Sequence, residues 1–154
     1  YMFVTNFFSE NKNFKISNKK EIRALLKKIC KKENKKISFI NCVFCSDNRL
    51  LEINKKYLNH TSLTDVVTFD FTTNKKNIEG DIYISIDRVK ENAKKYKETF
   101  KKELLRVIIH GLLHLIGFLD KTKEEKNTMT LKENEYLSLY SKLKFHVEHK
   151  QQEK

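Results

Sequence analysis

The segment Leu104 to Ile116 constrains the fold more than any other stretch of this chain, because it is apolar nearly all round a helix and carries only Arg106, His110 and His114 as polar side chains. A helix that is hydrophobic on every side has to lie at the centre of a domain. The pattern predicts a helix that begins at Thr99, runs to about Ile116 and stops at Gly117, whose freedom to take positive φ suits a helix end. Two histidines four apart share one face of such a helix, about 6 Å from each other. Imidazoles in so apolar a setting need partners for their ring nitrogens, and a shared metal ion supplies one. A chain that turns back at Gly117 returns Asp120 to the same place, so His110, His114 and Asp120 are predicted to hold one ion. Three protein donors leave a position for water, the arrangement of catalytic rather than structural zinc.

The 154 residues suit one compact domain, placed at residues 1–144 with a polar tail at 145–154. Phe3 to Phe8 reads as a first strand. Asn18 and Glu21 have capping-box spacing ahead of Ile22, Leu25, Leu26 and Ile29, which fall on one helical face. A strand is predicted over 37–45, then a helix capped by Asp47 that carries Leu50, Leu51, Ile53 and Tyr57. Val66 to Phe71 and Gly80 to Ile86 have the β-branched and aromatic character of strands. Asp87 is expected to cap a short helix, and Thr122 with Glu125 to open a last one in which Met129, Glu133, Leu137 and Tyr140 share a face. The buried histidine helix is expected at the centre of these strands and helices. His146 and His149 in the polar tail read as solvated side chains rather than ligands.

A formal net charge of +12 points to a polyanionic partner, although nearly all of it is lysine and an AT-rich coding sequence gives the same bias. No apolar run is long enough to span a bilayer and the start lacks a secretory signal, so a cytoplasmic protein is expected. Three cysteines fit a reducing compartment. Cys42 and Cys45 lie three apart in a predicted strand, face opposite ways and read as core residues rather than a metal or redox pair.

Helix-borne His-x3-His often marks a zinc peptidase, whose general base is a glutamate beside the first histidine. Here Gly111 holds that position. The octet His110-Gly111-Leu112-Leu113-His114-Leu115-Ile116-Gly117 instead closely resembles the core motif of the YbeY family of bacterial rRNA maturation factors. Ile53-Asn54-Lys55-Lys56-Tyr57, Leu63-Thr64-Asp65-Val66-Val67-Thr68-Phe69, Gly80-Asp81-Ile82-Tyr83-Ile84-Ser85, and Met129 with Glu133 resemble its other motifs in the same order, from about residue 37 to 140.

The resemblance implies an α+β, zincin-like fold, with a small mixed sheet packed by helices and a buried central helix carrying the histidines, and a single-strand-selective endoribonuclease that uses one Zn2+ ion. It implies action at the 3′ end of the small-subunit rRNA and in ribosome quality control, with rRNA and the ribosomal small subunit as partners and no membrane. The sequence departs from the family pattern twice. Asp120 stands where the third ligand is commonly histidine, and Leu58 stands where the family has an arginine after the tyrosine. Lys55, Lys56 and His60 are the candidates to replace that arginine, with Lys55 and Lys56 as candidate RNA contacts. Thr64, Asp65, Asp81 and Ser85 read as turn and strand-end residues, and Glu133 and Asn134 as surface groups or supports for the site. Two rival functions stay open at this point: a ribosome-assembly factor whose metal is structural, and a metal-dependent hydrolase of another substrate such as a peptide.

Overall fold

The computed structural model describes residues 4–58 and 64–152, the side chains of Leu58 and of residues 144–152 excepted. In chain order it contains β1 (Thr5–Ser9), α1 (Lys19–Lys32), β2 (Lys36–Cys45), α2 (Asp47–Ile53), a π-helical turn (Asn54–Leu58), β3 (Val66–Asp70), β4 (Asn77–Ser85), α3 (Ile86–Lys95), α4 (Phe100–Ile116) and α5 (Lys123–Gln152). The strands form one sheet in the order β1-β2-β4-β3, with β3 antiparallel to β4 and the other neighbours parallel. This is the mixed sheet of the expected α+β fold. His60 and Leu63 lie outside the described residues. No helix among the described residues is long and apolar enough to cross a membrane.

The alternation in β4 decides which side of the sheet the helices take. Ile78, Ile82 and Ile84 point to one face and are buried, while Glu79, Asp81 and Tyr83 point to the other and stay partly exposed. The isoleucine face joins Leu25, Leu26 and Ile29 of α1 and most of α4 in a single core. Two glycines let α4 sit directly on the sheet. A Cβ on Gly111 would lie 2.6 Å from Ile82 Cγ2, and one on Gly80 would lie 2.8 Å from Leu115 Cδ2 and 2.6 Å from the Phe69 carbonyl oxygen. The histidine helix therefore has a fixed height and rotation over β4.

Helix starts are where expectation and structure part. Ser46, not Asp47, caps α2 by accepting the Arg49 N–H at 3.2 Å, and Ser85, not Asp87, caps α3 by accepting the Arg88 N–H at 3.1 Å. Each aspartate braces the other helix instead. Asp47 Oδ1 accepts the Ser85 hydroxyl at 2.6 Å, and Asp87 Oδ2 accepts the Asp47 N–H at 2.9 Å. Asn18 takes a left-handed φ of 60° and makes no capping bond, so that capping box does not form. Thr99 does cap α4, through the Lys102 N–H at 3.1 Å. Thr122 and Glu125 form the expected reciprocal box, at 2.9 and 3.1 Å. α5 keeps helical backbone through Gln152, so residues 145–152 continue that helix.

All three cysteines are free and buried, and burial pushes each thiol up to about 12. Cys42 belongs to the main core, whereas Cys45 packs with Leu50, Ile53 and Val67 on the other face.

Candidate metal centre

His110 and His114 leave α4 from successive turns on the side facing α5, with ring centroids 4.5 Å apart and planes at 82°. Gly117 then ends the helix at φ 124°, its N–H and that of Phe118 closing on the Leu113 carbonyl at 3.1 and 3.0 Å. A side chain at Gly117 would be strained at that φ. The reversal carries Asp120 back over the helix end, where its Oδ2 lies 3.3 Å from His110 Nε2 and 3.2 Å from His114 Nε2. The two Nε2 atoms are 2.9 Å apart. Three donors at these separations suit a tetrahedral zinc site, in which bonds of 2.0–2.1 Å put ligand atoms about 3.3–3.4 Å from each other.

The outer nitrogens settle the tautomers. His114 Nδ1 is 3.0 Å from the Phe118 carbonyl, and His110 Nδ1 is 2.6 Å from Glu133 Oε2. Both partners only accept, so each Nδ1 carries the proton, and in the neutral ring Nε2 is then a bare lone pair. With both rings neutral, two bare nitrogens and a carboxylate oxygen converge, and that donor set fits a cation. Burial disfavours charge on His110. The Glu133 hydrogen bond and the negative charge of Glu133, Asp65 and Asp120 outweigh it and raise the pKa above the ordinary histidine value. The same negative potential favours a metal ion. The three side chains remain 22%, 24% and 38% exposed, which leaves the open side of the site within reach of solvent.

Behind His110 the structure adds a layer of support. Glu133, at 7% exposure, also receives Arg106 on Oε1 at 3.2 Å. Arg106 is held in turn by Asn134 at 3.3 Å and by Glu103 at 3.6 Å. Burial lifts the Glu103 carboxyl above its ordinary pKa against the charge of Arg106. Burial likewise raises Asp65, whose Oδ2 accepts Asn92 at 3.4 Å. Asp65, Asn92, Tyr96, Arg106, His110 and Glu133 line a cavity of about 510 Å³ on this side of the site. The loop after Gly117 is tied down as well. Lys132 lies 5.7 Å above the Phe118 ring and pairs with Glu33 at 2.9 Å, and the Tyr136 hydroxyl donates to the same carboxylate.

The remaining candidates fall elsewhere. Lys55 and Lys56 are exposed on the π-helical turn, whose Tyr57 packs on Phe69 at 5.7 Å, on the sheet face turned away from α4. Thr64 donates to the Val66 carbonyl at 3.3 Å, and Asp81 accepts Asn41 at 3.1 Å, both structural roles. Arg106 has no part in the sequence reading of the site, although its place one turn before His110 on the same helical face was a usable signal.

Fold and site together define a single-domain α+β protein in which the central helix and the turn after it bring together three side chains that could hold a metal ion. The family model Endoribonuclease YbeY matches residues 6–141. An Endoribonuclease YbeY of Cytophaga hutchinsonii is 50% identical over 133 residues, covering 86% of this chain and 93% of the relative. One of Flavobacterium psychrophilum is 53% identical over 108 residues, 70% of this chain and 76% of the relative. A solution structure from Thermotoga maritima superimposes with a TM-score of 0.62 at 29% identity, covering 88% of both chains. The chain belongs to the endoribonuclease YbeY family.

Proposed function

We propose that this protein is a zinc-dependent, single-strand-selective endoribonuclease that acts in the cytoplasm on rRNA, at the 3′ end of the small-subunit rRNA and in ribosome quality control. The observation that carries the reading is the convergence of His110 Nε2, His114 Nε2 and Asp120 Oδ2 with both outer histidine nitrogens already committed to acceptors. When bound, a single zinc ion supplies Lewis acidity toward a phosphoryl oxygen and acidifies water. Asp120 adds a negative charge where a third histidine would add none, which makes the site a weaker electrophile and more hospitable to harder cations. Glu133 and the Phe118 carbonyl fix the ring orientations, and the 38% exposure of Asp120 leaves the approach to the donors open to an RNA strand.

Peptide hydrolysis is disfavoured by Gly111. That position presses on Ile82, and the space a glutamate side chain needs is taken. The assembly-factor reading draws on Leu58, since leucine neither neutralises a phosphate nor donates to a transition-state oxygen, and on Asp120, whose charge weakens the ion as an electrophile. Incubating purified protein with a labelled small-subunit rRNA 3′ fragment decides between the two. Cleavage that a chelator abolishes, zinc restores and His114→Ala lacks supports the nuclease. Zinc-loaded, folded protein that binds ribosomes and leaves the fragment intact supports the assembly factor.

A further inference from the structure

The sheet face turned away from α4 is covered by α2 only at its Cys45–Val67 end. Among the described residues, the rest of the face is built of rings, half-buried where Phe69 and Tyr83 pack against the covered end and open at Phe71. Phe39 and Phe71 stack across Glu79 with centroids 6.5 Å apart, and Phe71 is 49% exposed. Tyr57, 60% exposed, meets the edge of Phe69 at 5.7 Å, and Phe69 meets Tyr83 at the same distance. Asn41 and Asp81 form a hydrogen-bonded pair beside Phe69, in the same row across the strands.

Lysines border both ends of this platform. Lys35 Nζ reaches the Lys75 carbonyl at 2.7 Å, and the Lys36 N–H reaches the Lys76 carbonyl at 2.7 Å, so the half-buried Lys35 and the exposed Lys36, Lys75 and Lys76 cluster next to Phe39 and Phe71. At the other end Lys56 Nζ lies 5.4 Å from the Tyr57 ring. Exposed rings on an open sheet, with hydrogen-bonding side chains between them and cations at the rim, match the chemistry of unpaired nucleotides. Bases stack on aromatic faces, their amino edges find acceptors, and phosphates run along lysines.

We propose that this face is a docking platform for single-stranded RNA, separate from the metal centre on the opposite side of the sheet. The proposal rests on the reading of RNA as the substrate, and it needs neither the ion nor cleavage. It would let the protein hold a flanking part of a long strand while another part reaches His110, His114 and Asp120.

The test is binding of a labelled single-stranded oligoribonucleotide to chelator-treated protein, so that the state of the metal centre does not enter. Tyr57→Ala and Phe71→Ala are each expected to weaken binding about tenfold. Phe71→Leu should weaken it while Phe71→Tyr restores it, which keeps the test valid if the alanine variant fails to fold. Lys76→Ala should lower the salt slope by about 0.7. Unchanged affinity in folded Tyr57→Ala and Phe71→Leu would overturn the proposal. So would a wild-type dimer in sedimentation that Phe71→Leu dissociates without loss of RNA affinity, since the face would then cover a second copy of the chain.

Discussion

Glu133 Oε2 stands 2.6 Å from His110 Nδ1, joining two helices across 23 residues of sequence at the one nitrogen that does not face Asp120. The contact fixes the ring orientation and tautomer, and it makes the imidazole a better donor to a cation. Glu133→Gln is expected to weaken zinc binding about ten- to hundredfold, read by competition with a chromophoric chelator. Arg106→Met, one step further back, should cost about tenfold or less in the same assay with helicity retained.

Asp120 is placed to donate through a single oxygen shared between both histidines. Asp120→His should keep one zinc per chain, and Asp120→Ala should lower affinity while the circular dichroism spectrum is preserved. Loss of metal from a folded Asp120→His protein would remove this position from the ligand set.

Gly111 is the seat of α4 on the sheet. A methyl group there meets Ile82 Cγ2 at 2.6 Å, so Gly111→Ala should destabilise the fold by about 1–3 kcal/mol in urea denaturation. Adding Ile82→Val, which trims the opposing side chain, should recover part of that loss.

Glu33 couples stability to pH. Burial works against its charge, but hydrogen bonds from Tyr136 and Lys132 and the charge of Lys132 prevail and hold its pKa below the ordinary glutamate value. A carboxylate depressed in the folded state contributes stability above its unfolded pKa, and that contribution is lost as pH falls through the folded one. Melting temperature should therefore fall on acidification below about pH 4.3, and less steeply in Glu33→Gln. Glu103 has the opposite sign. Burial raises its pKa, so its ionised form costs stability at neutral pH, and Glu103→Gln should lose less than Glu33→Gln there.

Much of the centre was legible because its information is local. The spacing of His110, His114 and Asp120 around Gly117 needs only helix geometry and one turn, and the isoleucine alternation in β4 needs only the pleat. The helix caps were less legible. Ser46 and Asp47, or Ser85 and Asp87, are both competent caps, and the choice is made by a cross-brace between two helices that lie 38 residues apart in sequence. The Arg106 to Glu133 contact spans 27 residues and has no sequence period. Lys55 and Lys56 lie within a family motif in the chain, yet the fold turns Tyr57 beside them to the far side of the sheet.

Whether two imidazoles and one carboxylate hold a catalytic zinc ion is read by X-ray absorption at the zinc edge, on protein loaded with one equivalent. Two imidazole nitrogens are expected at about 2.0–2.1 Å, with oxygen donors completing four-coordination, and one imidazole signal should be lost in His114→Ala. Zinc bound without imidazole scattering, or an unchanged spectrum in His114→Ala, would contradict that coordination.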